Sequence, residues 1–238
     1  MWQIKLTLSL IPYGIASIDA STVDVQGGRI RCPAPFIPIG PNRDKILRLN
    51  GGQYDFPEEP NLRSIMDARA QLDFLHDHLR HYCDLWARPP KLFLECYFAF
   101  ISAQVEANET QLAVKLAPYG TLFSVQDWIL SAPRPLPRAH IRSERAYWPV
   151  DFAFWLGDRV LAVLLKGLET ATPGDQVRSR ELSGFDIVEL EVAQLARDGA
   201  EYLARSLPAE FHAFWAGEPM PSSPFKGTFL DEIICEHC

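Results

Sequence analysis

Three methionines and five cysteines are all the sulfur in this chain of 238 residues, and the cysteines are odd in number and scattered. That excludes the dense disulfide framework of a small secreted domain. Positive charge is also short: 23 Lys and Arg stand against 30 Asp and Glu, for a formal net charge of −7. A broadly basic surface that holds nucleic acid by charge alone is thereby excluded, although a local basic cleft is not. No apolar run reaches the roughly 18–20 residues of a membrane-spanning helix. The opening MWQIKLTLSLIPYGIA lacks the layout of a secretory signal, because Lys5 lies inside the apolar run and Pro12 interrupts it. A cytoplasmic protein is the expectation.

What is present suits one large domain, or one domain with a smaller elaboration. Apolar residues make up 47% and charged residues 22%, enough to bury a core without cross-links. Trp2, Ile4, Leu6, Leu8 and Leu10 alternate with polar residues, which predicts an N-terminal strand. Residues 26–60 are rich in Gly and Pro and read as turns with short strands. Leu62, Ile65, Met66, Leu72, Leu75, Leu79, Tyr82 and Trp86 fall at helical spacing and predict a helix over 61–87, stopped by Arg88-Pro89-Pro90. A second helix is expected over 90–106, with Glu95 inside its apolar run. Phe123, Val125 and Ile129 then suggest a strand over 121–130. Residues 131–147, with three prolines and four arginines, read as a loop. Further on, a short helix is expected over 175–183, a strand over 185–191, a helix over 192–206 and a helical piece from Pro208. The tail from 218 reads as irregular.

The stretch YWPVDFAFWLGDRVLAVLLKG, residues 147–167, reads as two apolar strands around a Gly157-Asp158 turn. Counting from that turn pairs Phe154 with Leu161, Ala153 with Ala162 and Phe152 with Val163. Asp151 then falls opposite Leu164, with Lys166 as its diagonal neighbour. A charge inside a sheet is costly unless paired. A structural ion pair at a strand end and an active site are the two readings of this acid and base. Two other clusters carry less. His76, His78, His81 and Cys83 are scattered around a helix, with His76 and His78 about 200° apart. Cys235 and Cys238, with His237 between them, are half of a zinc knuckle, but a structural zinc needs four ligands and Cys32, Cys83 and Cys96 are too dispersed to complete it.

The order of these pieces resembles the PD-(D/E)XK nuclease superfamily, and within it the very-short-patch-repair-like group. It runs helix with Glu95, strand, PVDFAF hairpinned to LAVLLKG, helix QVRSREL, strand GFDIVELE and last helix, over about residues 90–206. The resemblance implies an α/β fold with a restriction-endonuclease-like mixed central sheet flanked by helices over 89–217. An N-terminal β-rich and helical elaboration over 1–88 would set substrate choice or contact a partner protein. It implies a Mg²⁺- or Mn²⁺-dependent endonuclease acting on DNA, in bacterial defence or repair. Asp151 matches the metal-binding aspartate, Lys166 the lysine and Glu95 the acid of an early helix, a second metal ligand. Gln176, Arg178 and Arg180 match the helix that lines the substrate cleft. On this reading Arg142 and Arg145, with Arg134 and Arg138 of the same loop, meet phosphates. The departure is Leu164, where the pattern has an acid or amide two residues before the lysine. The missing acid is then expected at Glu95 or Glu169. The alternative is a degenerate subunit that binds nucleic acid or a partner without cleavage.

Overall fold

The central hairpin forms as counted and becomes the middle of a larger sheet. A computed structural model describes residues 9–18, 24–26, 29–32, 34–39, 68–83, 88–117, 124–142, 146–156, 159–167 and 185–212. Strands β1 (Ser9–Pro12), β2 (Asp24–Gln26), β3 (Arg29–Arg31) and β4 (Phe36–Ile39) form two small antiparallel pairs, β1 with β4 and β2 with β3. Strands β5 (Leu136–Arg142), β6 (Tyr147–Trp155), β7 (Val160–Lys166) and β8 (Asp186–Glu191) form a mixed sheet in that spatial order. The first three make an antiparallel meander, and β8 adds parallel to β7. Parallel neighbours need a crossover, and the long connection between β7 and β8 provides its length. The helices are α1 (Ala68–His81), α2 (Arg88–Ala107), α3 (Glu109–Leu116) and α4 (Val192–Ser206). The chain is thus of the α/β class.

The alternation of β6 and β7 sorts their side chains onto two buried faces. Phe152, Phe154, Leu161 and Val163 join Leu190 of β8, Phe93 and Tyr97 of α2, and Leu195 and Leu203 of α4 in one core. Aromatic rings dominate it: Phe93 to Phe152 is 4.4 Å between centroids, Tyr97 to Phe154 5.3 Å and Phe154 to Phe211 4.9 Å. Ala153, Trp155, Val160, Ala162 and Leu164 join Leu136, Ala139 and Ile141 of β5 with Ile11 and Tyr13 in a second core. Residues before 88 contribute to both cores: α1 lends Leu75 and Leu79 to the first and β1 lends Ile11 to the second.

Two expectations are corrected in the lead-in to the hairpin. The described part of 121–130 is a 3-10 helix, Val125–Ser131, and no strand. Trp128 is buried and Val125 and Ile129 are half-buried, a spacing of three and four that a helical turn satisfies better than a strand does. The proline-rich stretch, in turn, holds a strand, β5. Proline is tolerated on an edge strand, and β5 is an edge of the main sheet. The Tyr97 hydroxyl donates to the carbonyl of Pro133 and fixes this lead-in to α2. Of the helix predicted over 61–87, the described residues carry Ala68–His81 with a turn at 82–83, and of the helical piece from Pro208 they carry a 3-10 turn at Ala209–Phe211; residues 61–67, 84–87 and 213–217 lie outside them. The helix expected over 175–183 and the tail lie outside them.

Candidate functional site

The chain direction brings the C-terminal ends of β5, β7 and β8 and the N-terminal end of β6 to one pole of the sheet. Asp151 lies there. Backbone pairing of β6 with β7 runs from Trp155↔Val160 to Phe152↔Val163. By continuation, the N–H of Leu165 would meet the Val150 carbonyl in a regular ladder. It donates instead to Asp151 Oδ2 at 2.8 Å. The carboxylate thus stands in for main chain at the point where β6 turns away.

That turn has a counterpart on β5. The β5–β6 pairs run Leu136↔Ala153 and Pro137↔Phe152, then resume at Ala139↔Val150, so the interruption falls at Arg138 and Asp151. Trp148 and Val150 join the same core as Ala153 and Trp155, and Ala139 and Ile141 the same core as Leu136. Strict alternation forbids both, so each strand changes face at the interruption. Arg138 has φ +48°, the only positive φ outside glycine among the described residues. Such a backbone costs an L-residue roughly 1–2 kcal/mol.

Lys166 ends β7 on the face of Leu164. Its Nζ lies 3.1 Å from Oε1 of Glu189 on β8, with the two side chains 41% and 53% exposed. A pair this open contributes ~0–1 kcal/mol, so stability does not explain it. In register, Leu164 pairs with Glu189 and Lys166 with Glu191. Glu189 is therefore the cross-strand neighbour of the position where the acid is missing. Sequence reasoning did not weigh it, having considered only Glu95 and Glu169 for that place. The usable signal was the strand reading of 185–191 together with a parallel partner. Leu164 itself is 6% exposed and packed in the second core.

Glu95 is not brought to this pole. Phe93 and Tyr97 pack on Phe152 and Phe154, and a residue two positions from each points to the far side of α2. Its carboxylate is 51% exposed and lies 3.8 Å from Arg80 of α1. A metal ligand role for Glu95 beside Asp151 has no support in this placement, and the reason is helical phase. The loop arginines also separate. Arg134 is 2% exposed and cannot meet a phosphate at the surface. Arg142 is exposed at the same pole as Asp151, where it hydrogen-bonds Tyr147, whose pKa is raised mainly by burial and partly restored by that cation. Gln176, Arg178, Arg180, Arg145 and Glu169 lie outside the described residues, as do Cys235, His237 and Cys238.

The histidines of α1 do not form a ligand set. His76 meets Phe98 edge-on, while His78 stacks on Phe74 and meets Tyr82. Burial, with Arg134 and His81 nearby, lowers the pKa of His78 to about 4. Burial raises Cys83 to about 12. Among the described residues no group of three or more His, Cys, Asp or Glu converges as a metal cluster would. No described helix is long and apolar enough to cross a membrane. Compared with protein-family models, with curated proteins and with solved structures, the chain finds no match in any of the three.

Proposed function

We propose that the chain is a divalent-metal-dependent phosphodiesterase of the PD-(D/E)XK kind, an endonuclease acting on DNA. The observation that carries the reading is Glu189: it is in register with Leu164 and ion-paired to Lys166, at the pole that also holds Asp151. An acid, a second acid and an ammonium thus sit on neighbouring strands, the second acid supplied by β8 rather than β7. Of the order the resemblance implies, the early helix, the hairpin, the parallel strand and the last helix support the reading, while a 3-10 helix followed by β5 stands where one strand was expected. A role in bacterial defence or repair, beside a protein partner, is the setting that the resemblance suggests.

Mg²⁺ usually keeps several waters and binds through one or two carboxylates and the substrate phosphate. Asp151 fits that requirement as a single carboxylate ligand. Asp151 would hold the ion directly. Glu189 stands two strand spacings away, about 10 Å at the backbone, and would act through water and through Lys166. When bound, such an ion neutralises the phosphate and lowers the pKa of an attacking water. Lys166 stabilises negative charge gathering on the phosphate, and Glu189 holds that ammonium in place until substrate arrives. Arg142, at the same pole, would position the phosphodiester backbone.

Burial of Leu164 favours a second reading, a nuclease-like subunit that binds DNA without cutting it. Nicking of supercoiled plasmid with Mn²⁺ separates the two. If the native chain nicks, and Asp151→Ala and Glu189→Gln each lose 100-fold or more, hydrolysis with a relocated acid stands. If the native chain is inert and Leu164→Glu cuts, the second reading holds. If Glu189→Gln cuts like the native chain, the relocated acid is refuted.

A further inference from the structure

We infer that Arg138 is a positioning residue for Asp151, acting through its backbone, and that the N-terminal segment holds it in place. The inference rests on the reading that Asp151 is the working acid of the pole. Three observations join. The β5–β6 ladder is interrupted where Arg138 faces Asp151, and Arg138 has φ +48°. Both strands change face at that point, which turns Asp151 out of the plain alternation and brings its carboxylate onto the N–H of Leu165, 2.8 Å away. Immediately before Arg138, the carbonyl of Pro137 accepts the N–H of Gly14 at 2.9 Å.

Gly14 makes that contact in a way other residues cannot. Its φ is +77°, and a Cβ there would stand 2.4 Å from Cδ1 of Tyr82. Its neighbour Tyr13 is buried against β5 in the second core, with its ring 5.5 Å from that of Tyr82. A line of contacts therefore runs from α1 through Tyr82 and Gly14 to Pro137, on to the left-handed turn at Arg138, and across to Asp151. Residues 13–14 brace the pole without reaching it. This gives the N-terminal segment a task that differs from choosing substrate.

A left-handed backbone suits glycine and opposes a β-branched residue. Arg138→Gly should keep the turn and remove only the side chain, whereas Arg138→Val should straighten it. Amide hydrogen exchange read residue by residue tests this without metal or substrate. In Arg138→Gly, protection of the Leu165 amide should stay within threefold of the native chain. In Arg138→Val it should fall tenfold or more, with Leu161 and Val163, whose N–H groups also point to β6, unchanged. Asp151→Asn identifies the share of that protection owed to the carboxylate. Should Arg138→Val fail to fold, Gly14→Ala is expected to lower Leu165 protection in the same selective way. Equal protection in the Gly and Val variants, or in Gly14→Ala and the native chain, would overturn the inference. Mn²⁺ titration of the same variants is read separately: a native chain that binds no Mn²⁺ counts against the metal reading, while the exchange result still decides the role of Arg138.

Discussion

At the scale of single residues, the environment of each charged group decides its use. Lys166 and Glu189 are too exposed for their pair to matter to stability. Replacing Lys166 by Met should therefore leave the melting temperature within a degree or two. On the proposed function, plasmid nicking by the same variant should fall 100-fold or more, the scale of losing one positioned charge in a transition state. Phe154 is the opposite case. It is fully buried between Tyr97 and Phe211 and takes no part in the pole. Phe154→Ala should cost about 3–5 kcal/mol in urea unfolding. A cost below ~1 kcal/mol would mean that the aromatic core between sheet and α2 is not formed as described.

At the scale of elements, the lead-in to β5 shows how a poor strand sequence becomes a strand. Pro133 and Pro135 precede it and Pro137 lies within it, so propensity opposes pairing. Tertiary contacts override that. Tyr97 takes the Pro133 carbonyl on one side, and Gly14 takes the Pro137 carbonyl on the other. Tyr97→Phe leaves a buried carbonyl without its donor and should cost about 1–3 kcal/mol. Helix α4 offers a second example: Gly199, at φ +50° and ψ −124°, breaks it beside Cys96 of α2, and Leu195 and Leu203 still reach the core on either side of the break. Helical spacing alone sees one helix there. The hairpin, by contrast, was legible to the residue, because a two-residue turn sets the register and period two sets the faces.

At the scale of the molecule, three histidines make stability depend on acid. Burial lowers His76, His78 and His140, with Arg80 adding to it at His76, Arg134 and His81 at His78, and Arg138 at His140. Nearby acids oppose the shift at His76, and the backbone of Ala16 and Arg138 opposes it at His140. Each stays neutral in the folded chain at a pH where the unfolded chain takes up a proton. Their contribution is therefore complete above the ordinary histidine value of about 6.5 and is lost as pH falls through the lower folded values, for His78 toward about 4. Melting temperature should drop between pH 7 and pH 4.5, and His78→Phe should lessen that drop. An unchanged slope in the variant would show that His78 is not held neutral by its surroundings.

The sequence by itself determined what is local: the hairpin and its register, α2, β8 and α4, and the α/β class. These follow from period, turn chemistry and counting, all of which act over a few residues. Only the tertiary structure decided which acids share the pole. Glu189 arrives there because β8 lies parallel beside β7, and Glu95 is turned away because α2 commits Phe93 and Tyr97 to the sheet. Parallel pairing joins residues more than twenty positions apart, and helix rotation is set by whichever face the core buries. Neither quantity is written in the spacing of neighbouring residues.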